Sequence, residues 1–367
     1  MAWTLSVEDL GYLAIGCAML GSGGGGEPHY AVTLLKAILA RGAEIRIIDP
    51  SELSDDALAV NVGFVGAPIT LTEKLIMDGE IVQAIAAMRG RLNAPIDALI
   101  AAEIGGFNGL VPLIAAGLTG LPVIDADGMG RAFPRSDHVT FAICGLSAVP
   151  TVVSGEGGET VVIENASTAK AEALVRALSV AMGSKCFSVD YPLSGRDVRA
   201  HAVPRTVSLA RDIGRYLRDA ASAPGDPFET LRAALRVRWG LSCELLFEGS
   251  ITAREHDTKG GFDVGTAIVK RAGNVDDTLR IDFQNEFLVA WKDGNAVAST
   301  PDIISVLDSH TLLPITSDAI RYGQRVKVVA MSAPALMRTP RALEVVGPRA
   351  FGYDIDYRPV DTRHHAQ

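Results

Sequence analysis

Residues 101–134, AAEIGGFNGLVPLIAAGLTGLPVIDADGMGRAFP, constrain what this chain can fold into more than any other stretch. Charge brackets the segment and is absent inside it. Glu103 stands at the front, Asp125, Asp127 and Arg131 stand at the back, and residues 104–124 carry no ionisable side chain. A run of about twenty apolar residues is also what a membrane-spanning helix needs. Here Asn108, Pro112, Pro122 and several glycines interrupt it, so the run divides into shorter elements. The pattern predicts a buried strand over 98–102, a helix over 108–118 and a second buried strand over 121–125. Asn108 is the expected N-cap of that helix and Gly120 its stop. Strand, helix and strand make a βαβ unit, with parallel strands and helices on their faces. Ligands gather at the carboxyl ends of such strands, where Glu103 and Asp125 are expected. Buried carboxylates are costly unless paired, hydrogen-bonded or bound to metal. Acids at strand ends beside permissive glycines therefore mark a candidate site.

The same logic extends outward. Ser6 and Asp9 open a helix that stops at the glycine loop 21–26, and a second helix is expected from Pro28 to Arg41. Strands are expected at 44–48, 59–65, 139–144 and 160–163, and helices at 80–91 and 167–182. Alternating strands and helices predict an α/β layer with a mainly parallel sheet over residues 1–170. Helices follow at 205–221 and 227–239, separated by the breaker Ala223-Pro224-Gly225. After them come short strand patterns at 242–252, 262–270, 278–283, 286–291, 297–299 and 326–331. Residues 171–367 are thus expected to form a helical connection followed by a β-rich domain.

Of the 367 residues, 48% are hydrophobic and 21% charged, compatible with a sizeable core. The net charge of −9 gives no footprint for nucleic acid. The N-terminus is acidic where a signal peptide would be basic, so no export signal and no membrane contact are expected. Four scattered cysteines without a CxxC pair fit a reduced, cytoplasmic protein.

The loop GSGGGG at 21–26 matches GxGxxG through Gly21, Gly23 and Gly26. A dinucleotide fingerprint needs a strand before the loop, and the preceding segment reads as helix. Asp49 nevertheless stands about where a ribose-binding acid would. The alternative is a glycine nest, with the N–H groups of Ser22, Gly23, Gly24, Gly25 and Gly26 aimed at an anion or a polarised carbonyl. Asp125-Ala126-Asp127 with Glu103 would hold a divalent metal such as zinc, or divide acid and base roles. Against that stand a capping role for Asp125 and an Asp127–Arg131 pair. His29, His138 and His256 have no partner at ligand spacing. In the C-terminal half Asn285 and Glu286 fall between two strands, beside Phe283 and Phe287, where a plain turn would carry Asn-Gly or Asp-Gly. They are expected to face the N-terminal domain and complete the site, since pockets favour domain interfaces.

LGSGGGGEP, VGAP (65–68), EIGGFNGLVP, GLPVIDADGMGRAFP, FQNEFLVA, TPDIISVLD, RYGQRVKVVA and VGPRAFGYDIDYRP together resemble the S-methyl-thiohydantoin desulfurase-like family. The resemblance implies an N-terminal α/β domain, a β-rich C-terminal domain and an association with hydantoinase and oxoprolinase enzymes. It also implies removal of sulfur from a thiohydantoin ring. The leading expectation is a hydrolase of small cyclic amide-like compounds, in which water attacks the ring carbon between two nitrogens. Glu103 or Asp127 would be the base, the loop N–H groups and Arg131 the donors to developing charge, and Asn108 would orient the ring. The expected partners are a small-molecule substrate and further copies of the chain. The alternatives are a non-catalytic subunit of a hydantoinase- or oxoprolinase-type partner, and a dinucleotide-dependent oxidoreductase.

Overall fold

A computed structural model describes residues 2–66, 78–220, 225–259, 262–274 and 276–365. Residues 67–68 of the VGAP motif, Ala221, Ala223 and Pro224 lie outside the described residues. Among the described residues the first sheet holds nine strands in the order β1-β2-β5-β4-β3-β8-β6-β7, with β9 paired to β5. They are Trp3–Thr4 (β1), Arg46–Ile48 (β2), Leu58–Gly66 (β3), Ala98–Ala101 (β4), Val123–Asp127 (β5), Thr151–Ser154 (β6), Thr160–Ile163 (β7), Lys185–Ser194 (β8) and Val203–Pro204 (β9). The centre, β2-β5-β4-β3, is parallel. The flanking strands β1, β8, β6, β7 and β9 pair antiparallel. The central strands are apolar on both faces because helices cover both. Val60 and Leu99 point into the core under the helices Val7–Leu20, His29–Ala40, Val111–Thr119 and Thr206–Ala220. Their neighbours Ala59, Ala98 and Ile100 point into a second core closed by Val198, Ala342 and Val346.

The second sheet is antiparallel, in the order β14-β13-β12-β11-β10-β17-β15-β16. Its strands are Cys243–Lys259 (β10), Phe262–Lys270 (β11), Thr278–Gln284 (β12), Glu286–Lys292 (β13), Asn295–Ser299 (β14), Ile303–Asp308 (β15), Pro314–Ile315 (β16) and Arg325–Met331 (β17). One apolar cluster from Phe247 to Val328 fills its inner face.

Three local expectations change. Residues 139–144 form a helical turn, Thr140–Ile143, because Thr140 N–H bonds back to the Gly128 carbonyl and so leaves the sheet. A short apolar run does not tell strand from buried helix. Strands β6, β8 and β15 were not expected. The helix after β4 begins at Val111, preceded by a 3-10 turn over Gly106–Leu110, and its N-cap, Leu110, makes no side-chain bond. Gly120 ends it at φ 75°, as the sequence requires.

Candidate functional site

A cleft of about 550 Å³ opens between the two sheets. Its walls bring together the glycine loop, the end of β3, Glu103, the 133–136 loop, the helix Thr168–Ala181, the β10–β11 arm, and Asn285 with Glu286. Apolar patches from Phe64, Met129, Phe133 and Phe262 separate the polar groups.

Glu103 follows β4 and is buried. Its Oε1 accepts from Asn108 Nδ2 at 2.7 Å and its Oε2 from the Phe133 N–H at 3.3 Å. Asn108 cannot present its amide the other way round, because its Oδ1 accepts the Phe64 N–H at 2.8 Å. Asn108 therefore positions Glu103 instead of capping the helix. Burial first, and then the neighbouring Glu286 charge, push the Glu103 carboxyl up to about 8.

Glu286 comes from the other sheet and is equally buried. The glycine loop is its socket. A methyl group on Gly24 would sit 1.9 Å from Glu286 Oε1, so the loop passes where only glycine fits. The Gly25 N–H bonds to the carboxylate, while among the described residues Oε2 has no hydrogen-bond partner. Burial pushes Glu286 up to about 7, opposed by the Arg131 charge and the Gly25 bond. The loop is otherwise tied into the second sheet. Phe287 N–H donates to the Ser22 carbonyl, Ser317 N–H to the Gly23 carbonyl, and Ser22 Oγ to the Ile304 carbonyl at 2.8 Å. The expected open nest is in this way a docking seam. Gly23 to Gly26 reach the cleft, and Ser22 is buried behind them.

Arg131 does not reach the cleft wall. It is fully buried over the Phe133 ring and donates to the carbonyls of Ala132, Asp302 and Phe287. Its role toward Glu286 is electrostatic. Asp127 is also withdrawn: Oδ2 accepts the N–H groups of Ile104, Met129 and Gly130. It fixes the two loops on either side of Glu103, and burial pushes its carboxyl up to about 7. Asp125 turns elsewhere, bonding Ser208 N–H and hydroxyl in the first turn of the helix Thr206–Ala220. Glu103, Asp125 and Asp127 thus do not converge on a metal, and among the described residues no group of three His, Cys, Asp or Glu is placed to hold one. The dinucleotide pattern fails on context. The helix Val7–Leu20 precedes the loop, and Asp49 caps its own turn through Ser51.

Asn285, at φ 58°, turns β12 into β13 and accepts the Asp263 N–H on its Oδ1 at 2.9 Å, at the cleft edge. Asn61, Ser188, Glu172 and Arg176, which no sequence motif marks, line the same cleft. Asn61 Nδ2 donates to Asp190 Oδ1 at 2.6 Å, and burial pushes Asp190 up to about 7. Arg176 pairs with Glu172 at 2.6 Å and stacks on Phe262, joining the two halves. A signal was present for Asn61, the one polar side chain in the strand LAVNVGFVG; Asp190 lies in KCFSVDYPLS among other polar residues and gave none.

Residues 8–165 match the family domain described as S-Me-THD-like, N-terminal domain, and residues 166–360 match its C-terminal counterpart. A crystal structure of a protein from Chromobacterium violaceum is similar throughout. Its TM-score is 0.83 at 25% identity, covering 98% of this chain and 100% of that one. No curated protein matches the chain. Among the described residues no helix is long and apolar enough to cross a membrane.

Proposed function

We propose that this chain, which belongs to the S-Me-THD-like family, is a hydrolase of small cyclic amide-like compounds of the thiohydantoin or hydantoin type. The observation that carries this reading is the pair Glu103 and Glu286: two buried carboxyls from different sheets, facing one cleft and held near 8 and 7. Such a pair retains a proton at neutral pH, as acid–base work requires. Arg131 and the Gly25 N–H favour the charge on Glu286, so Glu286 is the base and Glu103 the acid. The Glu286 carboxylate, which lines the cleft, takes a proton from water. The water oxygen bonds to the ring carbon between the two nitrogens. Glu103 then delivers its proton to the departing sulfur or ring nitrogen as that bond breaks. For an S-methyl ring the products are methanethiol and the ring carbonyl.

The test is turnover by the purified chain alone on an S-methyl-thiohydantoin, read as released thiol. Glu286→Gln and Glu103→Gln should each reduce the rate by about 100-fold or more, the usual weight of one acid or base. Turnover within a few-fold of wild type in either variant removes that residue from the chemistry. Activity only with an added partner enzyme supports the subunit alternative instead.

A further inference from the structure

The cleft has a second polar feature that the acid–base pair does not use. Strands β3 and β8 pair so that Asn61 lies opposite Asp190 and Gly63 opposite Ser188. Residues two apart on a strand share a face, and Asn61, Gly63 and Ser188 all line the cleft. Gly63 leaves a niche in this face. A methyl group there would sit 3.7 Å from Ser188 Oγ and 4.0 Å from Asn61 Nδ2, with nothing closer among the described residues. The niche is a small space bordered by an amide nitrogen and a hydroxyl. Asn61 is 2% exposed and Ser188 3%.

The orientation of the Asn61 amide follows from its neighbour. Asn61 Nδ2 donates to Asp190 Oδ1, so the NH₂ end of the amide faces that carboxyl. That bond takes one of the two N–H groups and leaves the second. Ser188 contributes a hydroxyl that both donates and accepts. A donor beside an acceptor is complementary to a carbonyl adjacent to a ring N–H, the edge that a cyclic amide unsubstituted on that nitrogen presents.

We propose that the Gly63 niche is the specificity site for the amide edge of the ring. Asn61 donates to a ring carbonyl oxygen, Ser188 accepts the adjacent ring N–H, and Asp190 positions the Asn61 amide. This rests on the cyclic-amide reading above and adds to it which edge of the ring the protein selects. Sites built to pair a polar group reject analogues that lack it, because their own buried groups are then left unpaired.

The experiment is calorimetric titration of the full chain with hydantoin, 1-methylhydantoin and 3-methylhydantoin. Wild type should bind hydantoin and lose at least tenfold in affinity for one of the N-methyl compounds. Gly63→Ala should keep its melting temperature, since the added methyl meets only ordinary contacts and the backbone there is not left-handed, yet lose at least tenfold for hydantoin. Ser188→Ala should bind hydantoin and its discriminated N-methyl derivative alike, which keeps the test open if Gly63→Ala does not fold. Hydantoin binding that is unchanged in Gly63→Ala and equally selective in Ser188→Ala overturns the niche and leaves the cyclic-amide reading standing. Absence of hydantoin binding to wild type overturns the reading and the niche with it.

Discussion

Replacing Glu103 by Gln should make the protein more stable at neutral pH and less stable in acid. The reasoning starts from its carboxyl, held near 8 in the fold against an ordinary value of 4.5. Between those limits the unfolded chain has released the proton and the folded chain has kept it. The unfolded state therefore binds fewer protons, and stability falls as pH rises. By pH 7 that loss amounts to about 3 kcal/mol, at 1.36 kcal/mol per unit. Glutamine has no proton to lose and escapes it. Its amide does not escape every cost. Asn108 Nδ2 fixes the glutamine oxygen at the Oε1 position, so its NH₂ faces the Phe133 N–H, which loses its acceptor. An unmade bond of that kind costs about 1 kcal/mol. The net effect is about 2 kcal/mol of stabilisation at pH 7, and about 1 kcal/mol of destabilisation at pH 4 from the same lost bond. For a chain of this size 2 kcal/mol corresponds to a Tm increase of roughly 3 °C. Scanning calorimetry of wild type and Glu103→Gln from pH 4 to pH 8 measures it. Parallel Tm curves, or a variant that loses ground as pH rises, would refute a carboxyl kept protonated by burial.

Gly24→Ala should drive the Glu286 carboxylate from its socket and lower turnover by about 100-fold, the weight of one misplaced base, in the thiol-release assay. Arg131→Met leaves three carbonyls without their donor and Glu286 without its nearby cation. It should cost about 3–5 kcal/mol in urea unfolding and move the acid limb of the pH–rate profile to higher pH. A downward move of that limb would contradict the assigned role. Gly90→Ala, where a methyl meets nothing within 4 Å among the described residues, should stabilise the helix Asp78–Leu92 by about 0.5–1 kcal/mol and leave turnover unchanged.

Much of the fold was legible because local signals agreed with it. Ser6 with Asp9 forms the capping box that starts the first helix, and Ser167 and Gly120 mark helix ends where expected. Strands β6, β8 and β15 were harder. Each is bounded by polar or turn residues, and β8 runs to a partner more than a hundred residues earlier in the chain. Of the site, Glu103 and Glu286 were visible as acids beside apolar runs. The roles of Asp125, Asp127 and Arg131 were not, since they depend on which distant backbone groups lack a partner. Asp125 found the first turn of a helix and Arg131 found Phe287 and Asp302, choices that no spacing rule encodes. The glycine loop stood out in the sequence, but the group seated against it comes from β13 and not from solvent.

That occupant has a consequence for when the molecule becomes competent. The chain emerges with Glu103 and the glycine loop long before Glu286 exists. Until the second sheet docks, the loop N–H groups face water and Glu103 stands without the burial and the like charge that together hold its proton at neutral pH. A nascent or clipped chain would therefore be silent in chemistry, with no weak early activity growing into the full one. On the proposed mechanism competence would arrive in a single step with docking, and turnover would report whether the last strands have found their place.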